Sequence, residues 1–108
     1  MIDFDSITES HLPAFKGGEG ELIAAMSGNG LCRILRGKLA PGHTIGEHCH
    51  DTSCEIIYFL SGHGRMILDG KQERIAPGLC HYCPKGSSHQ MINDTNEDLV
   101  FFAVVPQQ

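Results

Sequence analysis

Seven histidines occur in 108 residues, and five of them fall between His43 and His81. An imidazole surplus of this kind points first to metal binding. Four residues sharpen that reading. His48 and His50 are two apart, so on a strand they project from one face. A short turn at Asp51–Ser53 can bring Glu55 back beside them. His89 falls on a later strand and can close the set from across a barrel. Three imidazoles and one carboxylate converging on a point suit a divalent transition metal such as Mn, Fe, Co, Ni, Cu or Zn. Two His and a carboxylate are also the donors of the facial triad in non-haem iron sites, here with His89 added. Four protein ligands on an octahedral ion leave two positions for substrate, water or dioxygen.

Positioning such a set requires short strands, and strands dominate the sequence. The β-rich runs are Glu21–Met26, Leu31–Leu39, Gly46–His50, Glu55–Leu60, Gly64–Leu68, Gln72–Ile75, Leu79–Cys83, Ser88–Asn93 and Leu99–Val105. Turn chemistry separates them at Pro41-Gly42, Ser61-Gly62, Asp69-Gly70, Pro77-Gly78 and Pro84-Lys85-Gly86. Strands spaced about ten residues apart predict an all-β sandwich or barrel. No internal repeat, linker or heptad pattern appears, so a single domain over residues 1–108 is expected. The N-terminal segments Met1–Ile7 and Glu21–Met26 read as strands free to pair with a second copy.

Composition narrows the partners. The net charge is −5, with only 8 Lys and Arg, which do not cluster. Nucleic acid is therefore not an expected partner, because phosphate binding needs a basic footprint. No apolar run reaches the roughly 18 residues of a membrane span, so no membrane partner is expected either. The acidic start, Met-Ile-Asp-Phe-Asp, does not resemble a signal peptide, and the expected location is the cytoplasm.

Around the candidate ligands the spacing has two blocks. In residues 42–62, Gly42 is followed by His48, His50, Glu55 and Gly62; in residues 78–93, Gly78 is followed by Pro84, Gly86, His89 and Asn93. These blocks match both signature motifs of the cupin superfamily at every fixed position, and the chain resembles a small single-domain cupin. The resemblance implies a double-stranded β-helix, a jelly-roll barrel with a metal inside. It implies His48, His50, Glu55 and His89 as the ligands, a structural role for Asn93, and a homodimer. The superfamily spans dioxygenases, decarboxylases, isomerases and lyases as well as ligand-sensing and storage proteins, so fold and ligands do not choose the reaction. The expected function is a metal-dependent enzyme acting on a small polar or carboxylate-bearing molecule. The alternative is a non-catalytic module that binds a ligand or the metal.

Strand parity extends the reading to the pocket wall. Glu55, Ile57 and Phe59 share a face, as do His89, Met91 and Asn93, so Ile57, Phe59 and Met91 are expected beside the metal as wall or as core. Arg33 breaks an otherwise apolar face of Leu31, Leu35, Gly37 and Leu39, and is a candidate to hold a small organic anion, the alternative being a surface salt bridge after a bulge or a shift of register. His81 is a candidate group behind the ligands or a general base at the pocket mouth. His11, His43 and His63 read as exposed. Cys49 and Cys54 alternate with ligand positions and should point away from the metal. Cys80 and Cys83 form a Cys-x-x-Cys, but on a strand residues three apart face opposite ways, which favours free thiols over a redox or zinc motif. The opposite face of Glu55–Leu60 carries Ile56, Tyr58 and Leu60, so cover is expected on both sides of that strand, from a partner subunit or from the N-terminal segment.

Overall fold

The computed structural model describes every residue from Met1 to Gln108. Ten strands follow a 3₁₀ turn at Phe4–Ser6: β1 Ser10–Pro13, β2 Glu21–Gly28, β3 Cys32–Leu39, β4 Thr44–Cys49, β5 Glu55–Ser61, β6 Gly64–Leu68, β7 Lys71–Ile75, β8 Cys80–Cys83, β9 Ser88–Ile92 and β10 Leu99–Pro106. A second 3₁₀ turn, Phe15–Gly17, lies between β1 and β2. No helix is long and apolar enough to cross a membrane.

The strands form two antiparallel sheets. One has six strands in the order β1-β2-β3-β10-β5-β8, and the other has four in the order β4-β9-β6-β7. Alternation decides what each strand buries. From the six-stranded sheet Leu22, Leu35, Leu39, Ile57, Phe59 and Phe101 face inward; from the other, Ile45, Met66, Ile75 and Met91 meet them in a single apolar core. Gly37 sits opposite Phe101 across the β3–β10 pair, and a Cβ there would lie 2.4 Å from the ring. The missing side chain lets the aromatic ring lie over β3 and fill the core.

The Asp69-Gly70 hairpin joins β6 to β7 as its sequence requires, with positive φ at both residues. The N-terminus departs from expectation. Residues Met1–Ile7 do not form a strand, because the Asp3 carboxylate accepts from the Asp5 amide and the Ser6 hydroxyl and bends the chain into the 3₁₀ turn. The first strand is instead Ser10–Pro13. It pairs with β2, whose other edge is taken by β3, so β2 has no free edge for a second copy.

The 3₁₀ turn covers part of the outer face of the six-stranded sheet. Phe4 meets Phe102 edge-on at 6.0 Å, and Arg36 pairs with Asp5 at 2.9 Å. Further along that face Ile56, Tyr58 and Leu60 remain exposed beside Leu79 and Tyr82.

Candidate metal centre

The site is built mainly on β4 and β9, paired antiparallel with His48 opposite His89. Parity alone would turn His48 outward, because it lies three residues after the inward-facing Ile45. A bulge repairs this. Between the Ile45–Met91 and His48–His89 pairs, β4 carries one residue more than β9. Gly46 occupies the bulge. Its Cβ position would come within 2.1 Å of the Lys16 carbonyl, so the 3₁₀ turn Phe15–Gly17 can pack on β4 only over a glycine. The Gly46 carbonyl then accepts a hydrogen bond from His48 Nδ1 at 2.8 Å. After the bulge ordinary alternation brings His50 in beside His48. Glu55 enters from the start of β5, across the barrel.

Four donor atoms converge there. His50 Nε2 lies 3.0 Å from Glu55 Oε1 and 3.0 Å from His89 Nε2. His89 Nε2 lies 3.0 Å from Glu55 Oε1 and 3.2 Å from His48 Nε2. One ligand atom from each of the four residues falls within 4.8 Å of all the others. Adjacent ligands around an octahedral ion with bonds of about 2.1 Å are themselves about 3.0 Å apart, so the spacing fits a first-row divalent metal.

Proton positions support the same fit. The Gly46 carbonyl can only accept, so His48 carries its proton on Nδ1 and turns an Nε2 lone pair inward. His50 Nδ1 is held by the Ser53 hydroxyl at 3.0 Å, and His89 Nδ1 by His81 Nε2 at 2.9 Å. Each ring is thus gripped at its far nitrogen, the arrangement that orients a metal-binding imidazole. Burial would by itself raise the Glu55 carboxyl, but hydrogen bonds from His50 and His89 outweigh it and hold the group at about 2. Burial lowers the His48 imidazole below its ordinary value, against the hydrogen bond to Gly46. An ionised carboxylate and three imidazole nitrogens packed this closely form a donor set that a divalent cation can bind.

The donors line a cavity of about 320 Å³ that opens to solvent. Ile57 and Met91 lie on its wall, and Leu35, Ile45 and Phe101 complete an apolar lining. Arg33 reaches the same cavity, as an exposed residue with no ion pair of its own. Phe59 does not reach it. This residue sits further along β5, is 2% exposed, and borders a separate space of about 290 Å³ between β7 and β8. His81 also lies outside the main cavity, buried behind His89.

Three residues of the site were not picked out from the sequence: Gly46, Ser53 and Glu73, whose carboxylate accepts from His81 Nδ1 at 2.6 Å. Parity with the buried Ile75 was the available signal for Glu73. His43 is half-buried rather than exposed, with its ring packed against Gly20 and its Nδ1 accepting from the Glu21 amide. His11 and His63 are exposed. All five cysteines are free. Cys80 is exposed and Cys83 buried, and burial pushes the Cys83 thiol up to about 11. Cys49, at the end of β4, is exposed at the rim of the cavity rather than aimed at the donors.

A jelly-roll barrel with three imidazoles and a glutamate in its mouth defines a cupin architecture, and comparison with known proteins agrees. Residues 35–105 match the family model described as Cupin domain. The chain is 34% identical over 111 residues to the oxalate-binding protein of Thermotoga maritima, covering 97% of this chain and 92% of that protein. The crystal structure of a predicted oxalate decarboxylase from the same organism superposes with a TM-score of 0.94 at 32% identity, over 100% of this chain and 99% of that one. The cupin domain of Schizosaccharomyces pombe Cnp3 shares the fold at 10% identity, with a TM-score of 0.81 over 100% of this chain and 74% of that one. The chain belongs to the cupin family.

Proposed function

We propose that this cupin holds one divalent transition metal through His48, His50, Glu55 and His89 and acts as a metal-dependent enzyme on a small carboxylate-bearing molecule. The observation that carries the reading is the convergence of three Nε2 atoms and one carboxylate oxygen within 4.8 Å of one another, with four contacts of 3.0–3.2 Å among them, in the wall of an open cavity. The related oxalate-binding protein and predicted oxalate decarboxylase support a small carboxylate as the ligand class.

When bound, the metal supplies Lewis acidity and open coordination positions at the inner end of the cavity. The chain's own residues do the rest. Ile57, Met91 and Phe101 exclude water from the bound ligand and strengthen electrostatic contacts there. Arg33, unpaired at the cavity, is free to take a carboxylate by two parallel hydrogen bonds. Beyond the donor set, the titratable groups bordering the cavity are Lys16, Arg33, Cys49 and Asp51. None of these is a buried carboxylic acid, so the site favours chemistry centred on the metal over chemistry needing a second buried proton donor. The same observation favours a second reading, non-catalytic capture of the carboxylate.

The experiment is metal analysis of untagged protein purified without added metal or chelator, beside His50→Ala. Near-stoichiometric metal in the parent, lost in the variant, is expected. No metal in either, with no uptake on titration, overturns the reading. Oxalate and larger keto acids are then titrated into loaded protein and into Arg33→Leu. Loss of one charge-assisted pair should weaken binding about tenfold or more. Turnover assayed in the same samples separates enzyme from binding protein. A homodimer is part of the proposal: the exposed strip of Ile56, Tyr58, Leu60, Leu79 and Tyr82 is apolar surface that a second copy can bury. Light scattering should return about twice the 11.8 kDa chain mass.

A further inference from the structure

We infer that Glu73 and His81 form a positioning chain that fixes His89 as a ligand from outside the cavity. The inference rests on the metal reading above and assigns a role to two residues that line no part of the metal cavity.

The geometry is continuous from the surface to the donor set. Glu73 Oε1 lies 2.6 Å from His81 Nδ1, and His81 Nε2 lies 2.9 Å from His89 Nδ1. The His81 and His89 rings are nearly parallel, 19° apart, with centroids at 5.2 Å. The Glu73 side chain is 46% exposed while that of His81 is 2% exposed. Strand register makes this possible. Glu73 pairs with Met66 and so faces inward from β7, the edge of the four-stranded sheet. His81 pairs with Ile57 and faces inward from β8, the edge of the six-stranded sheet. The chain therefore also joins two sheet edges that share no backbone hydrogen bonds.

The proton positions follow in one direction only. A metal on His89 Nε2 leaves the His89 proton on Nδ1, which must donate. His81 Nε2 is then an acceptor, and its own proton sits on Nδ1, where only an acceptor such as the Glu73 carboxylate can take it. Each partner sets the tautomer of the next. The terminal negative charge also makes His89 the better donor, as outer partners of metal-bound histidines do. A phenylalanine at position 81 would fill the space and end the chain. A glutamine at position 73 would keep an acceptor but remove the charge.

Zinc affinity, measured by chelator competition at pH 7.5 on the parent, Glu73→Gln and His81→Phe, tests this. His81→Phe should bind about 10- to 100-fold more weakly and Glu73→Gln about 3- to 10-fold more weakly. The melting temperature of metal-free Glu73→Gln should stay within about 3 °C of the parent, because an exposed isosteric change costs little. Long-range proton–nitrogen spectra of the zinc-loaded parent should show His81 protonated on Nδ1, a signature that a packing role alone would not set. Binding within twofold of the parent in Glu73→Gln, or a His81 proton on Nε2, overturns the positioning chain while leaving the metal site standing. If His81→Phe does not fold, Glu73→Gln and the parent spectrum decide. If the parent takes up neither zinc nor any other divalent transition metal, the metal reading falls and the chain with it.

Discussion

Two buried polar residues on one stretch of chain show how differently this fold treats polar groups. His89 and Asn93 are four residues apart and both face inward, at 2% and 0% exposure. Asn93 satisfies itself completely. Its amide donates to the Leu39 carbonyl at 2.9 Å and the Glu97 carbonyl at 2.8 Å, and its carbonyl accepts from the Thr95 amide and hydroxyl. That uses every donor and both lone pairs of an asparagine. His89 is different: its Nδ1 faces His81, while its Nε2 lies within hydrogen-bond distance of two other imidazole nitrogens and a carboxylate, more partners than one ring nitrogen can serve. A closed hydrogen-bond account marks a structural knot. An account crowded at one point, as around His89 Nε2, is what the proposed cation would close.

Truncating Asn93 and, from the donor set beside His89, His48 tests that contrast and should give the largest effect. Asn93→Ala leaves the Leu39 and Glu97 carbonyls without this donor, and one buried unsatisfied group costs about 1–3 kcal/mol. A loss of about 2–4 kcal/mol of stability by denaturant titration is expected, with metal stoichiometry retained by whatever remains folded. His48→Ala should do the reverse. It removes a half-buried ring that crowds other donors, so the metal-free protein should lose little stability while metal affinity falls more than about 100-fold. If Asn93→Ala stripped the metal and His48→Ala unfolded the chain, the assignment of the two regions would be wrong.

Acid should separate the regions next. Glu55 is held at about 2, below the ordinary 4.5, so its contribution to stability is complete above pH 4.5 and is lost as pH falls toward 2. His48 and His81 are lowered below 6.5 chiefly by burial. The unfolded chain therefore takes up their protons first, and the metal-free protein should weaken as pH drops below 6.5. Asn93 does not titrate, so no share of the loss comes from its knot. Denaturant midpoints of parent and His48→Ala between pH 7.5 and 4 measure this: the parent should fall more steeply. Equal slopes would remove His48 from the account.

Much of this was legible in the sequence because period-two alternation carries so much of it. The runs Gly64–Leu68, Leu31–Leu39 and Leu99–Val105 anticipated β6, β3 and β10 closely, and inward placement of Ile57 and Met91 followed from parity. The failures share a cause: local chemistry that interrupts the alternation. The Asp3 cap turned Met1–Ile7 into a 3₁₀ turn rather than a strand. The bulge at Gly46 resets the phase of β4, and no count of apolar residues reveals it. Glu73 was overlooked because an acidic residue on a polar edge strand reads as solvated, and its partner lies on the other sheet.

Cys80 and Cys83 extend the comparison to a motif that looks chemical and is not placed for chemistry. Its spacing suggests a redox pair, but β8 exposes Cys80 and buries Cys83 on the opposite face. Disulfide formation needs the two Cβ vectors to converge, and alternation points these apart. Attack also needs a thiolate, and burial of Cys83 pushes its thiol up to about 11. Mild oxidant should therefore leave no Cys80–Cys83 bridge by mass spectrometry, and Cys80→Ser should change stability by no more than about 0.5 kcal/mol. Rapid loss of two thiols with altered metal affinity would instead mean that β8 opens. Because β8 is the edge strand that carries His81, such opening would also break the contact behind His89.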